Sequence, residues 1–514
     1  MSLAKSGGIV GIMTLLSRVL GFVRDQVLAI VFGAGAITDV FLVAFKIPNF
    51  LRRLFAEGAF AQAFVPVFTE YKETKSPEAL RDLAAHVVGT LTIILLVIST
   101  LGVMLAPMLI MLFAPGFIDE PDRFDLATDM LRITFPYLLF VSLLAYAGSI
   151  QNTFGRFAIP SFTPVILNIC MISAALWLSP YFAQPIMALA WGVFAAGVLQ
   201  LALQLPFLQQ LGLLPKPRWG WKHSGVRRIL KLMAPAVLGS SVAQINLLLD
   251  TVIASFLVAG SLSWLYYSDR LMEFPLGLLG VTIGTIILPR LSKEHATKSE
   301  TQFRLTIDWA IRLVCVLGIP AAVGLIVLAA PMLSTLFEYG KFTASDTTMA
   351  SYSLIAYSIG LPAFIVIKIF APAFFARQDM KTPVRVGIIA LVSNMVYNLI
   401  LVLPMVYFKV TAPHTALAIA TSMSAWQQAW MLYKQLYISD IYRLSDELKR
   451  FALRTLPATL LMAIVIWVLS IGDWHALSAM ARATQLLAII AAGALSYAIG
   501  LLLLGIRPKH LTSP

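Results

Sequence analysis

Apolar residues run along this chain in long blocks, and the polar residues fall mostly in the gaps between them. A bilayer crossing needs about 20 consecutive apolar residues, and stretches of that length recur from one end of the chain to the other. The pattern predicts fourteen spans, near 9–32, 37–68, 84–113, 127–153, 160–180, 186–210, 229–258, 263–290, 305–336, 347–376, 385–407, 412–434, 452–471 and 483–505. The expected class is an all-α polytopic membrane protein. The opening segment, MSLAKSGGIVGIMTLLSRVLGFVRD, has no small-residue cleavage site and continues into an Arg-containing helix, so it reads as the first span.

The gaps alternate in charge. Counting the segments at both ends, 25 Lys and Arg fall on one side of the expected spans, and Arg123, Lys341, Lys409 and Arg482 fall on the other. The positive-inside rule then places both termini in the cytoplasm. Composition agrees: of 514 residues, 59% are hydrophobic and 12% charged, about half the charge of a soluble globule. This excludes a water-soluble enzyme with one large core. The net charge of +13 is mostly this topological signal. A nucleic-acid partner would need basic and aromatic residues gathered on one soluble module, and no gap is long enough for one. Cys170 and Cys315 lie in apolar sequence and read as buried reduced thiols.

The chain also resembles itself at a spacing of about 224. LFAPGF (112–117) echoes LFEYGKF (336–342), and Asp25, Ala29 and Gly35 recur as Asp250, Ala254 and Gly260. NTFGRFAIP (152–160) lies opposite ARQDMKTP (376–383), and Pro66 opposite Pro289. Six spans per repeat is an even number, so the two halves are parallel repeats, an arrangement that suits a transporter with its site between two lobes. The expected organisation is 1–215 for the first lobe, 216–440 for the second, and 441–514 for two further spans.

Charge inside the spans is costly, at least ~2.5–3.5 kcal/mol near a span centre, so it needs a partner or a wet cavity. Arg18 is near the middle of the first span, with Asp25 two turns on. FKIPNFLRRLFAEGAF (45–60) carries Lys46, Arg52, Arg53 and Glu57. Arg53 and Glu57 are i,i+4 and can pair, which leaves Arg52 less compensated. Pro48 is expected to bend this span between Asp39 and the arginines. Ser263, Tyr266, Arg270 and Glu273, spaced 3, 4 and 3, form one polar stripe. Arg132 and Arg312, near span ends, are expected to snorkel. Two readings stand: structural ion pairs with Asp25, Asp39, Glu57, Asp269 and Glu273, or an inward-facing anion site. Arginine favours the second, because it stays charged and grips phosphate oxygens with two prongs.

On SRVLGFVRD (17–25), TDVFLVAFKIPNFLRRLFAEGAFAQAFVP (38–66) and SWLYYSDRLMEFPLGLLG (263–280), the chain resembles the MurJ/MviN family of bacterial lipid II flippases. These belong to the multidrug/oligosaccharidyl-lipid/polysaccharide exporter superfamily, and the likeness covers nearly the whole chain. It implies fourteen spans, a bacterial inner-membrane location and a cavity opening alternately to cytoplasm and periplasm. It also implies a substrate, lipid II, whose undecaprenyl diphosphate carries the muropeptide. The matching head-group residues are Arg18, Arg24, Arg52 and Arg270, with Arg53, Asp39, Glu57, Ser263 and Glu273 as further positions and Ala29 close by. The resemblance assigns the last two spans to a groove for the lipid tail, although LAIIAAGALSYAIG would serve ordinary helix packing as well.

Asp250, Asn394 and Asn398 offer oxygen ligands for a monovalent cation, Na⁺, which family members have been linked to. Interhelical hydrogen bonding explains the same three residues. The protein is expected to act as a monomer among membrane lipids, alongside cell-wall synthesis proteins. An exporter of another polyprenyl-linked glycan, or a drug/cation antiporter of the superfamily, are the alternatives. A membrane-embedded transferase would need a carboxylate or histidine cluster. The six histidines lie in gaps or near span ends, with no metal-type cluster expected among them, and no phosphate-binding loop is present.

Overall fold

The computed structural model describes residues 3–53, 60–214 and 216–507, and the regular elements among them are helical. The chain divides into two compact units, Met1–Gly260 and Ser261–Pro514. The first contains α1 (Leu3–Phe32), α2 (Ala36–Leu51), α3 (Ala61–Thr74), α4 (Pro77–Met104) and α5 (Ala106–Phe113). It continues with α6 (Pro121–Thr134), α7 (Tyr137–Thr153), α8 (Ala158–Ser173), α9 (Met187–Gln210) and α10 (Ser224–Ser255). The second unit holds α11 (Ser261–Pro275), α12 (Val281–Ala296), α13 (Glu300–Leu313), α14 (Ile319–Val327) and α15 (Ala329–Phe337). Its remaining helices are α16 (Ala344–Phe375), α17 (Lys381–Tyr407), α18 (Thr415–Ile438), α19 (Asp446–Ser470) and α20 (Ala479–Leu503). The seventh expected span, α10, is thus part of the first compact unit.

Helix occupies each of the fourteen predicted segments, and among the described residues ten helical stretches are long and apolar enough to cross a membrane. Their outer faces are apolar: Leu487 is 67% exposed and Leu495 64%. In water such faces would be an aggregation liability; against lipid tails they are the natural surface. The protein is therefore a multi-pass membrane protein.

The internal repeat reappears as backbone geometry. Two spans break at matching leucines, Leu105 (φ −91°, ψ 11°) and Leu328 (φ −98°, ψ 16°), with Pro107 and Pro331 shortly after. α7 and α16 end alike. Gly155 and Gln378 take left-handed φ values of 73° and 61°, and the next N–H donates back into the helix, Arg156 to the Gln151 carbonyl and Asp379 to the Phe374 carbonyl. A left-handed residue closed by such a bond satisfies carbonyls that the helix end would leave bare. The following helices, α8 and α17, each carry proline at their third residue, Pro160 and Pro383.

Pro48 does not end α2, which runs on to Leu51; the backbone then widens into π-helical turns at Arg52 and Arg53. Such turns gather at functional sites. At the other end of the chain, α19 and α20 pack through small residues. A Cβ on Gly493 would lie 2.4 Å from Ile466 Cγ2, and one on Gly500 would lie 3.0 Å from Ala458 Cβ. The small-residue run of α20 thus lets two backbones approach, the packing that lipid favours.

Candidate functional site

In the first unit the expected arginines part company. Arg24 is buried. Its Nε and Nη2 donate to Asp25 Oδ1 at 2.9 and 2.7 Å, and its Nη1 donates to Asn168 Oδ1 at 3.0 Å. Asn168 in turn donates to the Ser17 carbonyl, 3.1 Å away. This fastens α1 to α8. Asp25, expected on the face of Arg18, is therefore occupied by its neighbour. Arg18 is exposed, and among the described residues it makes no hydrogen bond or ion pair. Ala29 is fully buried in helix packing.

On α2, Arg52 is half-buried and its Nε donates to Asn49 Oδ1 at 2.8 Å, while Arg53 is exposed. Glu57, and with it the expected Arg53–Glu57 pair, lies outside the described residues. Lys46 donates to Thr251 Oγ1 of α10 at 2.5 Å. Asp39, in the first turn of α2, is buried where a negative charge complements the helix N-terminus. Its Oδ2 accepts from the Gly260 N–H at 2.7 Å and lies 3.8 Å from Arg123 Nη2. Arg123, read from sequence as a loop charge, is 9% exposed, sits 4.2 Å over the Phe117 ring and donates to Glu120 Oε1 at 2.6 Å. The acidic residues beside it in sequence concealed its partner, which lies 84 positions earlier.

In the second unit the predicted stripe on α11 is present. Arg270 Nη1 donates to Glu273 Oε2 at 3.1 Å, and Nη2 donates to the Tyr266 hydroxyl at 3.2 Å, with the guanidinium 5.0 Å from that ring. Ser263 is buried on the same helix. On α17, Asn398 Nδ2 donates to Asn394 Oδ1 at 2.8 Å, and Asn394 Nδ2 lies 3.4 Å from Thr421 Oγ1. Asp250 belongs to the first unit, where it is half-buried on α10. Arg132 is exposed beside Asp129 at 3.0 Å, and Arg312 reaches Glu447 at 2.9 Å. Both cysteines are free thiols.

Two polar clusters were not legible in the sequence. Arg482, 6% exposed, donates to the carbonyls of Trp474, His475, Ser334 and Glu338 and to Glu338 Oε1. His475 Nδ1 lies 2.8 Å from the same carboxylate oxygen. Burial works against ionising Glu338, but the hydrogen bonds from His475 and Thr347 outweigh it and hold the carboxyl below its ordinary value of 4.5. The second cluster corrects an expectation. Asp82, His86 and His223 offer ligand-type atoms all within 4.8 Å of one another, the one such trio among the described residues. Sequence reading found no histidine cluster because His223 is 137 positions from His86 and only folding brings it to α4.

The family description "Lipid II flippase MurJ" matches residues 28–483. A Haemophilus influenzae protein named "Probable lipid II flippase MurJ" is 49% identical, with 97% of this chain and 99% of that protein aligned. A Burkholderia cenocepacia "Lipid II flippase MurJ" is 41% identical over 91% of this chain and 90% of its own. Among solved structures, "Lipid II flippase MurJ, inward closed conformation" is 28% identical with TM-score 0.79, covering 96% of this chain and 97% of that one. An inward-facing multidrug transporter of the MOP superfamily has TM-score 0.67 at 12% identity over 82% of this chain and 95% of that one, a likeness of fold alone. These relatives are transporters, and the chain joins them as a transporter and not an enzyme. It belongs to the MurJ family of lipid II flippases.

Proposed function

We propose that this protein carries lipid II from the cytoplasmic to the periplasmic leaflet of the bacterial inner membrane, as a monomer with fourteen crossings and both termini cytoplasmic. Arg18, Arg52 and Arg53 of the first unit and Arg270 of the second bind the diphosphate-sugar head group, while the tail stays in the bilayer against α19 and α20. The observation that carries this reading is the contrast within α1. Arg24 is consumed by Asp25 and Asn168, whereas Arg18, six residues earlier on the same helix, is exposed with its charge available. A bare arginine inside a span is sustained by water or by an anion.

The cycle is alternating access. Head-group phosphates offset the repulsion among the arginines and favour closure on the cytoplasmic side; opening outward releases the lipid. A membrane potential negative inside assists both the outward anion and the returning cationic site, by about 2.3 kcal/mol per charge per 100 mV. A monovalent cation at Asp250 or at the Asn394–Asn398 pair would bias the return step. If so, Asp250→Ala abolishes any Na⁺ dependence of transport, and an unchanged Na⁺ response removes that residue from the proposal.

The test is transbilayer movement of purified lipid II in proteoliposomes. Wild type is expected to bind and move it, and Arg18→Ala and Arg270→Ala to insert normally but lose both. If wild type is inert towards lipid II yet moves another polyprenyl-linked glycan, the substrate assignment falls.

A further inference from the structure

Asp82 and His86 are i,i+4 on α4 and so share a face. His223, the residue before α10, brings its ring against them: the two imidazoles stack with centroids 5.0 Å apart and planes 21° from parallel. Asp82 Oδ2 lies 3.3 Å from His86 Nδ1 and 3.5 Å from His223 Nε2. These separations are long for a charge-assisted hydrogen bond, about 2.7–2.9 Å. They match instead the edge of a tetrahedron whose centre is ~2.0–2.1 Å from each corner, roughly 3.3–3.4 Å. Arg218 Nη1 sits 3.5 Å from the other carboxylate oxygen, Oδ1, which steadies the group with Oδ2 towards the rings. All three side chains are half-buried, and a cavity of about 470 Å³ lined by Asp82, Glu78, Arg81 and Lys216 opens beside them.

We propose that Asp82 Oδ2, His86 Nδ1 and His223 Nε2 form a binding site for a late first-row divalent cation, Zn²⁺ above all, with water completing a tetrahedron. Two imidazoles and one carboxylate suit zinc, whereas Mg²⁺ and Ca²⁺ prefer oxygen alone. The site bridges α4 to the start of α10 within the first unit.

Binding is coupled to the cap of that helix. His223 Nδ1 accepts the Gly225 N–H at 3.1 Å, so the ring's single proton is on Nε2. Coordination at Nε2 moves that proton to Nδ1 and ends the bond to Gly225. At His86, Nδ1 is 2.8 Å from the Asp82 carbonyl; coordination there moves the proton to Nε2 and ends that contact too. In each ring the proton is then carried by the nitrogen that does not face the ion. The ion thus exchanges two local hydrogen bonds for a cross-link between α4 and α10.

The experiment uses the full chain without a histidine tag, in nanodiscs, titrated with Zn²⁺ against a chromogenic chelator and with Co²⁺ followed by visible absorption. Wild type is expected to bind one ion and to give the intense d–d bands of tetrahedral Co²⁺. His86→Gln and His223→Asn should each weaken binding at least tenfold. Asparagine is an excellent N-cap, so His223→Asn should unfold in the absence of metal at the wild-type temperature, which separates a lost ligand from a lost fold. Wild type binding no ion, or both variants binding as wild type does, overturns the site. None of these readouts depends on lipid transport.

Discussion

Arg18 and Arg24 are six residues apart on α1, and their surroundings differ: Arg24 is buried against Asp25 and Asn168, while Arg18 is exposed. Removing Arg24 would take from the buried Asp25 the two guanidinium hydrogen bonds it accepts, a loss of about 3–5 kcal/mol for a broken buried pair. Arg24→Ala should therefore unfold at markedly lower temperature, or accumulate poorly in the membrane. Arg18→Ala should match wild-type stability within about 0.5 kcal/mol and fail only in transport; equal melting losses for the two variants would refute this division. Glu338 makes the corresponding case for pH. Its carboxyl is depressed in the folded protein, so it contributes stability that is fully present above its ordinary value of 4.5 and is lost as pH falls through the lower folded value. Wild type should lose stability on acidification below about pH 4.5, and Glu338→Gln should flatten that part of the profile. At this scale sequence spacing identified the α11 stripe, because i,i+3 and i,i+4 neighbours on one helix are fixed by helical geometry. It could not find Arg24 with Asn168 or Asp39 with Arg123, whose partners come from distant segments.

Two elements at the end of the chain depend on features that composition only hints at. α19 and α20 approach through Gly493 and Gly500, where an added Cβ meets Ile466 and Ala458. Gly493→Leu should cost about 1–3 kcal/mol by overpacking, while leucine at the exposed position Ala491 should be neutral; thermal unfolding in one detergent compares the two. Arg482 holds the start of α20 through four carbonyls and a carboxylate. Lysine has neither the planar fork nor enough donors in the right directions. Arg482→Lys is expected to destabilise nearly as much as Arg482→Ala, and full rescue by lysine would mean that only charge matters there. The sequence indicated small-residue packing and helix ends, since glycine and proline act locally. It did not indicate that Gln378 would adopt the left-handed conformation of Gly155, which the repeat imposes on a residue without glycine's freedom.

For the whole molecule, topology is the property to measure. A cysteine replacing Lys409 should react with a membrane-impermeant maleimide in intact cells. One replacing Arg218 should react only after permeabilisation. The reverse pattern would invert the proposed orientation. The membrane class, the helical spans and the internal repeat were all set by sequence alone, because backbone in lipid must satisfy its own hydrogen bonds and apolar length measures a crossing directly. The broken spans at Leu105 and Leu328 and the matching ends of α7 and α16 then gave the repeat a physical form. Tertiary structure decided which charges are spent. It buried Arg24 and Asp39 against partners from distant segments, left Arg18 and Arg53 exposed, and brought His223 to Asp82 and His86. The reason is range: a helix dictates neighbours three or four residues away, whereas contacts across 80 to 150 residues exist only once the helices have packed.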